Sequence, residues 1–113
     1  MTLIDDAVLG DMIEYIGRDA LRPVIELFLT ESRELSAAIA AGAGDPGGRE
    51  AVRKAAHSLK SSAGQLGAAA LSEAAAAVER AAEGSAPLVE PAAVVARLAA
   101  ETRAALAERM REA

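Results

Sequence analysis

"REAVRKAAHSLKSSAGQLG", residues 49–67, decides how this chain folds and where its chemistry sits. An α-helix turns roughly 100° per residue, from 3.6 residues per turn. With Val52 as origin, Ala55, Ala56, Leu59, Ala63 and Leu66 fall within about 60° of it and make one apolar face. His57, the only histidine of the chain, falls about 140° from Val52, well off that face. The stripe predicts an amphipathic helix from Arg49 to Leu66, with Gly67 as its sharp end. The histidine is then presented outward and not to the core.

The same periodicity extends in both directions. Before this helix, "GAGDPGG" at 42–48 breaks the chain with glycines and a proline. A first helix is predicted from Asp6 to Ile16, with Leu9, Met12, Ile13 and Ile16 on one stripe and Gly17 as its stop. A second runs from about Ala20 to Ala41, with Asp19 as N-cap and Pro23 near its start, where a missing N–H costs little. Its stripe is Leu21, Val24, Ile25, Phe28, Leu35 and Ile39. Beyond the quoted segment, a helix over about Ala69 to Glu83 puts Leu71, Ala75, Val78 and Ala82 on one side and stops at Gly84. The loop "SAPLVEP" precedes a last helix, about Ala92 to Glu112, with Val95, Leu98, Leu106 and Met110 inward. No segment alternates with period two, so strands are not expected. The fold class is all-α: an up-down four-helix bundle with a short additional N-terminal helix as cover, forming one domain over residues 1–113.

Composition agrees and excludes several functions. The chain is 52% hydrophobic but only 2% aromatic, a core of Leu, Ile, Val and Ala that suits closely packed helices better than sheets. Its net charge is −5 and no Lys/Arg cluster is visible, which argues against nucleic acid as a partner. With no cysteine there is neither a disulfide framework nor a thiolate metal site, in keeping with a reducing compartment. "MTLIDDAVLG" has no basic n-region, so no signal peptide is expected. "AAVVARLAA" is too short to span a membrane. A cytoplasmic location follows as the expectation.

On the histidine face, helix neighbours lie three, four and seven residues away. Arg53 stands one turn before His57, Lys60 and Ser61 one turn after, and Gly64 two turns after. Ala68 continues the row if the helix reaches it. Glycine in a helix interior costs about 0.8–1 kcal/mol against alanine, in a sequence that uses alanine freely. One reason to place it there is to let another surface come close. Small residues also serve as helix–helix contact points, and a His–Lys pair is common on ordinary surfaces. The distinguishing feature is His57, Lys60, Ser61 and Gly64 together on one face. A neutral imidazole is a good nucleophile near pH 7, and an ammonium beside it favours an anion on the ring. The chemistry indicated is a phosphoryl group carried by His57.

The motif resembles the histidine-containing phosphotransfer (HPt) domain family. That family's pattern is a histidine, any residue, an aliphatic residue, lysine, glycine, small residues, and a glycine ten positions after the histidine. Here it reads His57, Ser58, Leu59, Lys60, Ser61, Ser62, Ala63, Gly64, Gln65, Leu66, Gly67, Ala68. Phe28 and "LSEAAAAVERAAEG" after the motif also fit the family's layout. The resemblance implies that His57 is the phosphoacceptor, on its outer ring nitrogen, with Lys60 near the phosphate. It implies receiver docking over Arg53, Ser61, Gly64 and Ala68; Ser61 departs from the usual glycine, and its hydroxyl either bonds the phosphate or slightly hinders approach. Glu79 falls where some members orient the inner ring nitrogen, and equally reads as a routine exposed glutamate. Met12 and Tyr15 are candidates for an apolar docking patch, with a structural role the better expectation for both.

The implied partners are receiver domains of response regulators or hybrid histidine kinases, with the chain itself a monomer. The chain would need no cofactor or metal of its own, Mg²⁺ being supplied by the receiver. A histidine-kinase dimerisation helix is the nearest confusable pattern, with an acidic residue after the histidine and a proline five positions on. Ser58 and Ser62 stand there, and no Gly-rich ATP-binding region follows, so a carrier and not a kinase is expected. The alternative is a non-transferring module that binds a receiver or kinase. A metal-binding bundle is disfavoured by one His, no Cys and no Glu-x-x-His pair.

Overall fold

A computed structural model of the chain describes residues 2–111. They form α1 (Asp6–Ile16), α2 (Arg18–Ala43), α3 (Arg49–Gln65), α4 (Ala69–Glu83) and α5 (Val89–Arg111). The last four make the bundle. Each packs on two neighbours: α2 on α3 and α5, and α4 on α3 and α5. Short connections make sequential helices antiparallel, which is the expected up-down arrangement. The core joins Leu21, Ile25 and Ile39 of α2 to Val52 and Leu59 of α3, Leu71 and Val78 of α4, and Val95 and Leu106 of α5. Between these large side chains sit Ala56, Ala63, Ala75 and Ala99, all fully buried. Their small volume is what lets the helices approach closely.

Several boundaries differ from the periodicity reading. Asp19 is not the N-cap of α2. Gly17 is, at φ 86°, and Asp19 lies in the first turn, where its charge complements the helix dipole. Gly17 also closes α1 by donating its N–H to the Ile13 carbonyl at 2.8 Å. One residue therefore joins the two helices, a turn that only a positive φ permits. Because α2 starts early, Pro23 lies inside it and removes a backbone bond to Asp19, a larger cost than at a first-turn position. The start of α5 also moves forward: Val89, Glu90 and Pro91 belong to the helix and not to the loop. Its expected end at Glu112 lies outside the described residues. Leu66 caps α3 and is not part of it. Ile16 and Val24, placed on core stripes by spacing, are 45% and 42% exposed. The reason is that, among the helices, α1 packs mainly beside α2, so the outer sides of both helices near Gly17 stay uncovered.

Two sets of polar bonds fix the ends of the bundle. At one end, the Arg49 guanidinium donates to the carbonyls of Ala81, Gly84 and Ala86 at 2.6, 2.9 and 2.8 Å. It satisfies acceptors that the end of α4 would leave orphaned. At the other, Asp5 donates its N–H to the Gly67 carbonyl at 2.7 Å and Ala70 donates to Thr2 at 3.2 Å, so the N-terminal segment lies on the α3–α4 turn. Asp6 and Arg109 form a two-pronged pair at 2.7 and 2.9 Å that ties α1 to the end of α5. The Arg109 guanidinium holds the exposed Asp6 carboxyl below its usual range.

Gly67 is required twice over. Its φ is 78°, and an added Cβ would stand 2.9 Å from the Val8 Cβ. A left-handed conformation costs a residue with a Cβ about 1–2 kcal/mol before any clash. Gly67→Ala is expected to destabilise the fold by about 2 kcal/mol or more, read as a lower midpoint in urea unfolding; an unchanged midpoint would show that the turn relaxes.

Candidate functional site

His57 sits in the interior of α3, on the side facing α4, with its side chain 58% exposed. The apolar face assigned to α3 is buried as expected: Val52, Ala55, Ala56, Leu59 and Ala63 all enter the core. This fixes the rotation of the helix and leaves His57 beside the groove between α3 and α4. Glu79 of α4 closes the groove from the other side. Its Oε2 is 2.8 Å from His57 Nδ1, and its Oε1 accepts a bond from Lys60 Nζ at 2.6 Å. Only 11% of the Glu79 side chain is exposed. The routine exposed glutamate is therefore excluded, and one carboxylate engages both residues singled out on α3.

The protonation of the site follows from this geometry. The Lys60 bond is the largest influence on Glu79; it and the His57 bond outweigh burial and hold the carboxyl below its ordinary 4.5. An ionised carboxylate accepts only. His57 Nδ1 must therefore carry the hydrogen and donate it to Glu79. In the neutral ring the lone pair then lies on Nε2, the nitrogen away from Glu79. A carboxylate on one imidazole nitrogen fixes both tautomer and ring orientation. The second ring nitrogen, Nε2, then points away from Glu79 on a side chain that is largely exposed.

The other residues predicted for this face divide. Ser61 and Gly64 are exposed on the same side of α3 as His57. Nothing but Ser72 Oγ, at 3.4 Å, would meet a Cβ on Gly64, so the glycine is not needed for packing within the bundle. Arg53 is half-buried, and its guanidinium is held by Glu50 one turn back, at 2.5 to 3.1 Å. Ala68 is a correction. It is fully buried, because the positive φ of Gly67 turns the chain before it and makes it the N-cap of α4; it lines no outward surface. Tyr15 is a second correction, since at 91% exposure it has no packing role. Met12 is half-buried against the core, as its structural role requires.

Ser72 was not found from the sequence. It donates to the Lys60 carbonyl at 2.9 Å and stitches α4 to α3 beside the lysine. A serine in the first turn of a helix reads as a local cap, and only the cross-helix register reveals its partner. Beside the histidine face, Met12, Val24, Leu27 and Phe28 of α1 and α2 meet Ser62 and Gln65 of α3 around a shallow concavity. Leu27, 59% exposed, continues its apolar rim.

The histidine stands on an open face of the four-helix bundle, one turn before the lysine and beside the buried carboxylate of Glu79. The Hpt domain family model matches residues 23–112, which takes in the four bundle helices from the first turns of α2 onward. The chain belongs to the Hpt domain family, whose members are phosphotransfer modules of two-component signalling. No curated protein and no solved structure is a significant match. No helix among the described residues is long and apolar enough to cross a membrane.

Because Glu79 is held below its ordinary value, its bonds contribute fully above about pH 4.5 and are lost as pH falls through the lowered value. Glu79→Gln should therefore flatten the loss of stability between neutral pH and about pH 3, measured as urea midpoints of both proteins. Asp6 and Glu50 are also held low, but they remain in the variant and cancel in the comparison. Parallel curves would show that Glu79 is protonated at neutral pH or gains nothing from its partners.

Proposed function

We propose that the protein is a phosphotransfer intermediate of a two-component phosphorelay, accepting a phosphoryl group on His57 from a receiver-domain aspartate and passing it to another receiver. The observation that supports it most is the exposed His57 ring, bonded through Nδ1 to Glu79 at 2.8 Å, which leaves Nε2 outward. In the forward step the Nε2 lone pair attacks phosphorus. The P–O bond of the aspartyl phosphate breaks, its electron pair returns to the aspartate carboxylate, and an N–P bond forms. No proton need leave. Nδ1 keeps its hydrogen, the phosphorylated ring gains positive charge, and the Glu79 carboxylate beside it offsets that charge. The same balance makes the return step to a second aspartate accessible.

Lys60 has two roles in this scheme. Its ammonium holds Glu79 ionised in the resting state and adds positive charge one turn from the arriving phosphoryl group. Ser61 and Gly64 lie under the incoming receiver; Ser61 replaces the family's usual glycine and brings a hydroxyl to that contact. The concavity rimmed by Met12, Val24 and Leu27, with exposed Tyr15 on the same helix as Met12, supplies an apolar surface for the receiver. The receiver brings Mg²⁺ and most of the electrostatic catalysis, and this chain brings a positioned nucleophile.

Incubation with a phosphorylated receiver should yield an acid-labile phosphoprotein. His57→Gln should abolish the label while the circular dichroism spectrum stays helical. Label kept in that variant points to another acceptor, and equal receiver binding with no transfer in wild type points to a binding module. Gly64→Ala separates docking from folding. Its Cβ has room, so helix stability should rise by up to about 1 kcal/mol while transfer slows; transfer at the wild-type rate would mean that the receiver does not approach Gly64.

A further inference from the structure

The α2–α5 edge carries an arrangement of charge that phosphotransfer does not use. Arg33 of α2 and Arg103 of α5 share a shallow trough with Leu29, Ala100, Ala104 and Ala107. Among the described residues, no acidic side chain forms an ion pair with either guanidinium. Nη1 of Arg103 is buried with no acceptor. Burial, and then the charge of Arg33, hold the Arg103 guanidinium below its ordinary basicity. Arg49, by contrast, is partnered by carbonyls, and Arg53, Arg97, Arg109 and Arg111 by carboxylates. Folding has thus brought two like charges together and taken one partly out of water, in a chain of net charge −5. Arg33 is exposed and Arg103 half-buried, so the pair is open to a counter-charge supplied from outside.

The shape of the trough says what carries the counter-charge. From Ala100 to Ala107 is about 10 Å of helix at 1.5 Å per residue, longer than a lone oxyanion occupies, and its floor is methyl groups and a leucine. A carboxylate matches the planar fork of a guanidinium. A helix bearing that carboxylate among small apolar side chains would also cover the alanines.

We infer that the α2–α5 trough is a second interaction surface, which binds an acidic helical segment of a partner protein through a carboxylate seated between Arg33 and Arg103. The surface lies opposite the α3–α4 edge that carries His57, since within the bundle α2 packs on α3 and α5, and α4 packs on the same two helices. A partner held there leaves the histidine free for a receiver.

The test is an NMR titration of the ¹⁵N-labelled chain with three probes: a helical peptide of Glu-Ala-Ala-Ala repeats, its Gln-Ala-Ala-Ala counterpart, and inorganic phosphate. The Glu peptide should give saturable shifts at the amides of Leu29, Arg33, Arg103 and Ala104, and the Gln peptide none. Arg33→Gln and Arg103→Gln should each weaken the Glu peptide about tenfold or more, as loss of a charge-assisted hydrogen bond does, with the thermal midpoint held or raised. Transfer of phosphoryl groups to His57 should be the same in both variants, which keeps this outcome separate from the relay itself. No saturable shift with the Glu peptide, or wild-type binding of it by either variant, would overturn the inference. Phosphate that reproduces the shifts at equal or lower concentration would overturn the helical occupant and leave a free-anion site.

Discussion

One buried carboxylate organises the functional face of this bundle. Glu79 reaches from α4 to both His57 and Lys60 of α3, and each of its oxygens has one task. Oε2 sets the tautomer and direction of the imidazole. Oε1 holds the ammonium that keeps the carboxylate charged. A carboxylate this enclosed needs both partners, because burial opposes its charge and the two bonds overcome that opposition. The pairing in turn depends on small side chains where α3 and α4 meet. Ala56 and Ala63 of α3 and Ala75 of α4 are fully buried, and side chains this small let packed helices approach closely.

His57 was legible from sequence because it is a matter of angle within one helix. A wheel drawn through Val52, Leu59 and Ala63 puts the histidine outside, and those three are fully buried. Gly64 and Ser61 follow by the same reasoning. The same face gave Lys60 as a phosphate neighbour, yet its visible partner is Glu79, a contact across helices between residues 19 apart in sequence. Periodicity says nothing about how far one helix slides along another, so Glu79 read equally as surface and as site. Ser72 was invisible for the same reason.

The misplaced residues share a second cause, which is a change of direction at a glycine. Ala68 belongs to the histidine's row only if α3 continues, and Gly67 at φ 78° ends it. Gly17 at φ 86° splits α1 from α2 without a loop, so α2 starts before Asp19 and encloses Pro23. Ile16, Val24 and Tyr15 sit near that joint. Ile16 and Val24 look like core residues by spacing, and all three are exposed because nothing among the described residues covers them. Apolar spacing identifies a face that prefers burial, but the partner that buries it need not belong to the same chain.

The bonds that fix α4 on α3 are spread along the hairpin. Arg49 grips the carbonyl end of α4, and Ser72 pins its other end to Lys60. Slippage of α4 by a single residue would carry Glu79 about 1.5 Å along the axis and roughly 100° around it, out of reach of the imidazole. The Arg49 clamp and the Ser72 pin therefore act as a vernier for the ring. A conservative replacement of Arg49, distant from any phosphate, can spoil the aim of the histidine while leaving every residue of its motif in place.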